Sequence, residues 1–182
     1  MRYAGIDKCE LCNGNDIGVS LFVQGCHFHC RGCFNPETWD FSHGKPWDDK
    51  VKDKFLDIMN KPYIKRVSIL GGEPLCDENV QDVKSLLHEI RTTYPYKKIW
   101  VYTGYNFDDI FRDRYSKENE FCNLRYDTIC DADVVVDGQF DIQKQDLYNE
   151  YIVWAGSTNQ RIINVKEFLT NKLCEESLHD NK

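Results

Sequence analysis

Val19-Ser20-Leu21-Phe22-Val23-Gln24-Gly25-Cys26-His27-Phe28-His29-Cys30-Arg31-Gly32-Cys33 is the stretch on which the fold turns. Val19 to Val23 form an apolar run rich in β-formers, closed by Gly25, and the pattern predicts a strand. The cysteines that follow stand at C-x3-C-x2-C on one short loop. Clustered thiolates are soft ligands that suit an iron–sulfur cluster or zinc. An ordinary four-iron cluster takes four cysteines, so a set of three leaves one iron open, and an open metal position is a mark of catalysis. Spacing alone also allows a structural zinc site, joined by Cys9-x2-Cys12 with His27 or His29 as spare ligands.

Working outward, the chain alternates strand and helix. Val51, Phe55, Ile58 and Met59 recur at helical spacing behind Asp48 and Asp49, whose charge favours a helix N-terminus. Val67-Ser68-Ile69-Leu70 is a second strand, stopped by Gly71-Gly72. A helix burying Val80, Val83, Leu87 and Ile90 follows, then a strand at Ile99-Trp100-Val101-Tyr102 ended by Thr103-Gly104. A short helix is predicted from Phe107 to Arg112, and a fourth strand at Val134-Val135-Val136, stopped at Asp137-Gly138. Residues 113–132 and 141–150 read as polar and irregular. Strands separated by helices imply βαβ units and a parallel sheet. The cysteine loop, Gly71-Gly72-Glu73-Pro74, Thr103-Gly104 and Asp137-Gly138 all follow strand C-termini, the edge where parallel α/β folds assemble their sites.

Composition narrows the classes. The 182 residues fit one domain, with a core over about 13–165 and a short C-terminal tail. With 30 acidic and 23 basic residues the formal charge is −7, which argues against a nucleic-acid partner. The first eight residues lack a signal-peptide core, and no apolar run approaches the roughly 20 residues that span a bilayer. A cytoplasmic protein without a membrane partner is expected, and its nine cysteines read as reduced thiols or ligands.

C-x3-C-x2-C after a first strand, with Gly-Gly-Glu-Pro after the next, resembles the radical S-adenosylmethionine superfamily. Within it, the chain is similar to the activating proteins of anaerobic (class III) ribonucleoside-triphosphate reductases. The likeness rests on Leu21–Cys26, Gly32-Cys33-Phe34-Asn35 with Thr38-Trp39, Ile99–Tyr105, Val135–Phe140 and Trp154–Arg161. Asn13-Gly14 keeps part of an Asn-Gly-Pro-Gly turn usual in those relatives but lacks its proline and the arginine beside it.

The resemblance implies an α/β fold whose parallel sheet curves into an incomplete (β/α) barrel. It implies one [4Fe-4S] cluster on Cys26, Cys30 and Cys33, which form the catalytic set, and S-adenosylmethionine as cosubstrate. Gly32, Cys33, Phe34, Gly71, Gly72, Glu73, Thr103 and Asp137 are the implied cofactor contacts. Thr103 and Asp137 have two further readings, a monovalent-cation site and, for the aspartate, a buried structural role. Reductive cleavage would yield a 5′-deoxyadenosyl radical that makes a glycyl radical on the reductase, with a flavodoxin- or ferredoxin-type electron donor. Activation of another glycyl-radical enzyme, a small-molecule reaction of the 7-carboxy-7-deazaguanine synthase kind, and a zinc-binding module are the alternatives. Trp39, Trp47, Trp100 and Trp154 read as packing anchors, and Trp39 and Trp47, which flank the cysteine loop, are also candidates for touching a partner. Ser157, Asn159 and Arg161 read as a turn-forming cluster.

Overall fold

The computed structural model describes residues 1–145 and 154–179. Seven strands make one open sheet: β1 (Arg2–Glu10), β2 (Gly18–Val23), β3 (Lys45–Pro46), β4 (Arg66–Gly71), β5 (Lys98–Tyr102), β6 (Val134–Asp137) and β7 (Arg161–Asn164). Their order is β3-β1-β2-β4-β5-β6-β7. The predicted parallel sheet is its centre, where β2, β4, β5 and β6 pair in parallel. The flanks depart from that expectation: β1 pairs antiparallel to β2, β3 to β1, and β7 to β6, so the whole sheet is mixed.

Five α-helices lie among the described residues: α1 (Asp49–Met59), α2 (Val80–Thr93), α3 (Phe107–Arg112), α4 (Glu120–Cys130) and α5 (Val165–His179). α1 starts at the acidic pair as anticipated, and Asp48 also caps it by accepting a 2.9 Å bond from the Val51 amide. The irregular stretch 113–132 contains α4, and the expected C-terminal tail contains α5. The expected loop at 141–150 is described only to residue 145, where Ile142–Lys144 form one 3₁₀ turn.

Successive strand residues point to opposite faces, and here the two faces differ in kind. Val19, Leu21, Val23, Val67, Ile69, Ile99, Val101 and Val135 are fully buried in the main core with Phe55, Val83, Leu87 and Ile90 of the helices. The alternate positions, Ser20, Phe22, Ser68, Leu70, Trp100 and Tyr102, carry the other face. Arg66 lies on it with no exposed surface. Its guanidinium donates to Glu10 Oε1 at 2.8 Å and Asn15 O at 2.9 Å, and bonds Ser68 Oγ. It fills the space over Gly18, where any Cβ would collide with it. Burial of Glu10 works against its charge, but hydrogen bonds from Ser20 and Arg66 outweigh this and hold its carboxyl below the usual range. This network fastens residues 10–16 across that face of the sheet. No helix among the described residues is long and apolar enough to cross a membrane.

Candidate iron–sulfur and cofactor site

A cavity of about 430 Å³ opens at the C-terminal edge of the parallel strands. Phe22, Leu70 and Tyr102 from the strand ends line it, with Cys12 and Asn13 of the fastened N-terminal segment. Cys26, Cys30, Cys33, Phe34, Gly71, Gly72, Glu73 and Thr103 are also in its wall. Gly32 and Asp137 are not among the lining residues.

The cysteine loop is held from both sides. Gly25 and Cys26 amides donate to Thr38 O and Trp39 O at 2.7 and 3.1 Å. Glu73 N donates to Gly25 O at 2.7 Å, and Gly72 N to Val23 O at 2.8 Å, which fixes the glycine turn against the loop. A Cβ on Gly72 would strike the Gly25 carbonyl, so the close approach itself demands glycine. Asn79 precedes α2 but spends its side chain here, donating to Gln24 O at 3.0 Å and Glu73 O at 3.1 Å.

Burial raises the Cys26 and Cys30 thiols, opposed by the backbone N–H groups of Phe28 and His29 at Cys26 and of Phe140 at Cys30. These N–H groups are placed to stabilise sulfur once it is charged, and a bound metal deprotonates a coordinating thiol. Among the described residues, no three His, Cys, Asp or Glu side chains converge to share one metal ion. A cubane asks for a different arrangement, because each thiolate binds a separate iron around one space. Three soft donors spread around one cavity fit that group. Glu73 is buried, and burial pushes its carboxyl up to about 7 against hydrogen bonds from Gly104 N, Leu75 N and Thr103 Oγ1. Those bonds measure 2.7, 2.9 and 2.7 Å.

A family model described as a 4Fe-4S single cluster domain matches residues 12–163. Anaerobic ribonucleoside-triphosphate reductase-activating proteins of Salmonella typhi and Escherichia coli (strain K12) are each 35% identical to this chain, over 88% of it and 96% of their own length. The protein of the same name from Enterobacteria phage T4 is 33% identical over 89% of this chain and 93% of its own. The chain belongs to this family of activating proteins.

Several family residues take roles that the sequence left open. Both Asp137 oxygens are committed: Arg161 Nε donates to Oδ1 at 3.0 Å, its Nη2 to Oδ2, and Phe107 N to Oδ2 at 2.8 Å. Asp137 is 1% exposed and ties β6 to the start of α3, which matches the structural alternative for this residue. The motif read as a turn cluster stitches one cavity wall. Gln160 Oε1 accepts from Gly156 N at 2.8 Å while its Nε2 donates to Gly138 O at 2.9 Å, and Asn159 Nδ2 donates to Gln139 O at 2.8 Å. Gly138, of the rim loop named from the sequence, and Trp154 line the cavity, as do Gln139, Phe140 and Gly156, which were not singled out individually. Trp39 lines it too, stacked on His29 at 4.7 Å. Trp47 does not: it packs edge-on against Tyr3 and Phe55, in the packing role read for it from the sequence. All nine cysteines are free; Cys9 is exposed on β1 while Cys12 reaches the cavity.

Proposed function

We propose that the protein generates a glycyl radical on an anaerobic ribonucleoside-triphosphate reductase, as a cytoplasmic radical S-adenosylmethionine enzyme. One observation carries this reading: Cys26, Cys30 and Cys33 share a single cavity with Gly71, Gly72, Glu73 and Thr103. Membership of a family whose relatives are named as activating proteins of that reductase supports the choice of substrate. The thiolates of Cys26, Cys30 and Cys33 would hold a [4Fe-4S] cluster with one iron open. Bound there, it supplies the electron, delivered by a flavodoxin- or ferredoxin-type donor, that splits S-adenosylmethionine into methionine and the radical that takes hydrogen from glycine.

This chain's own residues bind and orient. Gly71 and Gly72 present bare backbone to the cavity, so a methionyl group can approach closely. Glu73 is held by three protein donors, so its main work is to bind the Thr103-Gly104 and Leu75 segments into one wall. Phe22, Leu70, Phe34 and Phe140 give that wall an apolar lining that limits water around a reactive radical.

The test is anaerobic reconstitution followed by incubation with reductant, S-adenosylmethionine and reductase, watched by paramagnetic resonance. A brown protein with about four irons per chain and a glycyl-radical doublet on the reductase is expected. A colourless protein with stoichiometric zinc would overturn the reading, and cofactor cleavage without any protein radical would redirect it to a small-molecule substrate.

A further inference from the structure

Arg125 lies on α4, in a stretch whose sequence gave no reason to look there, and it does not line the cavity. It is nonetheless 9% exposed, and its guanidinium is spent on the loops that build the cavity. Nε donates to Leu75 O at 2.8 Å, and Nη2 bonds Asp77 and reaches Tyr105 OH at 3.2 Å. The guanidinium carbon also stands 4.4 Å from the centroid of the Tyr105 ring. Tyr105 in turn meets Phe28 edge to face at 5.0 Å, and Phe28 belongs to the cysteine loop and lines the cavity.

We infer that Arg125 is a positioning residue for this cavity: it clamps the Glu73–Asp77 loop to Tyr105 and, through Tyr105, seats Phe28 of the cysteine loop. The inference rests on the functional reading above and deepens it. The physical reason is that the loops after β4 and β5 cross no strand pairing beyond the sheet edge. What joins them is the Glu73 carboxylate from within and the Arg125 fork from outside. A planar guanidinium donates in two directions while its face covers an aromatic ring, which an ammonium cannot do. Leu75 N and Gly104 N, both donors to Glu73, therefore sit between two fixed points.

Arg125→Met keeps an unbranched apolar stem and removes the guanidinium fork. In the full chain without iron, amide exchange at Leu75 and Gly104 is expected to accelerate at least about tenfold, since the bonds to Leu75 O, Asp77 and Tyr105 are all lost. In reconstituted protein, KM for S-adenosylmethionine is expected to rise about tenfold while kcat at saturation stays within about twofold. Iron content should hold, and Arg125→Lys should restore part of the exchange protection. Unchanged exchange or unchanged KM in a folded Arg125→Met protein would overturn the inference. If that variant fails to fold, Tyr105→Leu decides, because it leaves the Leu75 and Asp77 bonds in place. A raised KM supports the clamp and an unchanged one refutes it. Wild-type protein that cleaves no S-adenosylmethionine would count against the functional reading instead, and the exchange measurement would still decide on the clamp.

Discussion

Gly72 brings its backbone so close to the Gly25 carbonyl that a methyl group has no room, and Gly25 directly precedes Cys26. A substitution there therefore strikes the cysteine loop before it strikes the cofactor. Gly72→Ala is expected to cost about 1–3 kcal/mol of stability through forced overpacking, and to lower iron loading as well as S-adenosylmethionine binding. Iron per chain after anaerobic reconstitution is the measurement; normal iron with weakened binding alone would show that the turn acts only on the cofactor. Glu10 and Arg66 give a second residue-level outcome. Glu10 has its carboxyl lowered from an ordinary 4.5, so it contributes stability that is present above that value and lost as pH falls through the lowered one. Glu10→Gln removes the charge partner of a fully buried guanidinium and is expected to cost roughly 3 kcal/mol near neutral pH. The gap between variant and wild type should close in acid; a gap that stays constant from neutral to acid in denaturant titrations would refute the assignment.

At the level of elements, β2, β4, β5 and β6 were readable because both their neighbours and their helices bury them, leaving short Val/Ile-rich runs with glycine stops. β1 was not readable. It is a flanking strand with charged residues at Arg2, Asp7, Lys8 and Glu10, and its place comes from backbone pairing with β2. α4 was hidden for a related reason: its buried residues include Arg125 and Thr128 beside Ile129, so no clean apolar stripe marks it. α5 shows almost no stripe either, and a few contacts anchor it. Phe168 stacks on Phe107 at 4.3 Å, and Glu176 takes both its bonds from Arg114 at 2.8 Å. Phe168→Ala is expected to cost about 2 kcal/mol, below the full core value because Phe168 is half-buried. The cluster should load normally, since α5 does not line the cavity. Chemical denaturation beside iron content checks both halves of that statement.

For the whole molecule, the candidate site is legible where chemistry is carried by local motif and illegible where it is carried by packing between distant segments. The cysteines and Gly71-Gly72-Glu73 declare themselves, whereas Cys12, Phe140 and Trp154 reach the cavity only because the sheet brings their loops to one edge. That edge bears on the substrate. On the proposed function, a glycine in a folded reductase must meet the cavity, which requires a rim that admits another protein, and the rim beside the cysteine loop carries exposed apolar surface. Phe34 is 62% exposed and Ile142 42% exposed, with Ile142 lying against Gly32 just outside the cavity. Large exposed apolar groups of this kind contribute to binding when a partner covers them. Ile142 is the cleaner probe, because it lines a neighbouring groove with Arg31 and Gln143 and not the cofactor cavity itself. Ile142→Asp places a charge where a partner's surface must desolvate it, and is expected to lower the glycyl-radical yield about tenfold, a typical loss for one interface residue. Slow cleavage of S-adenosylmethionine in the absence of reductase should continue at the wild-type rate. The two assays are run side by side, with the radical counted by paramagnetic resonance and cleavage followed by release of 5′-deoxyadenosine. Equal losses in both would mean that Ile142 supports the cysteine loop, and an undiminished radical yield would move the docking surface to another part of the rim.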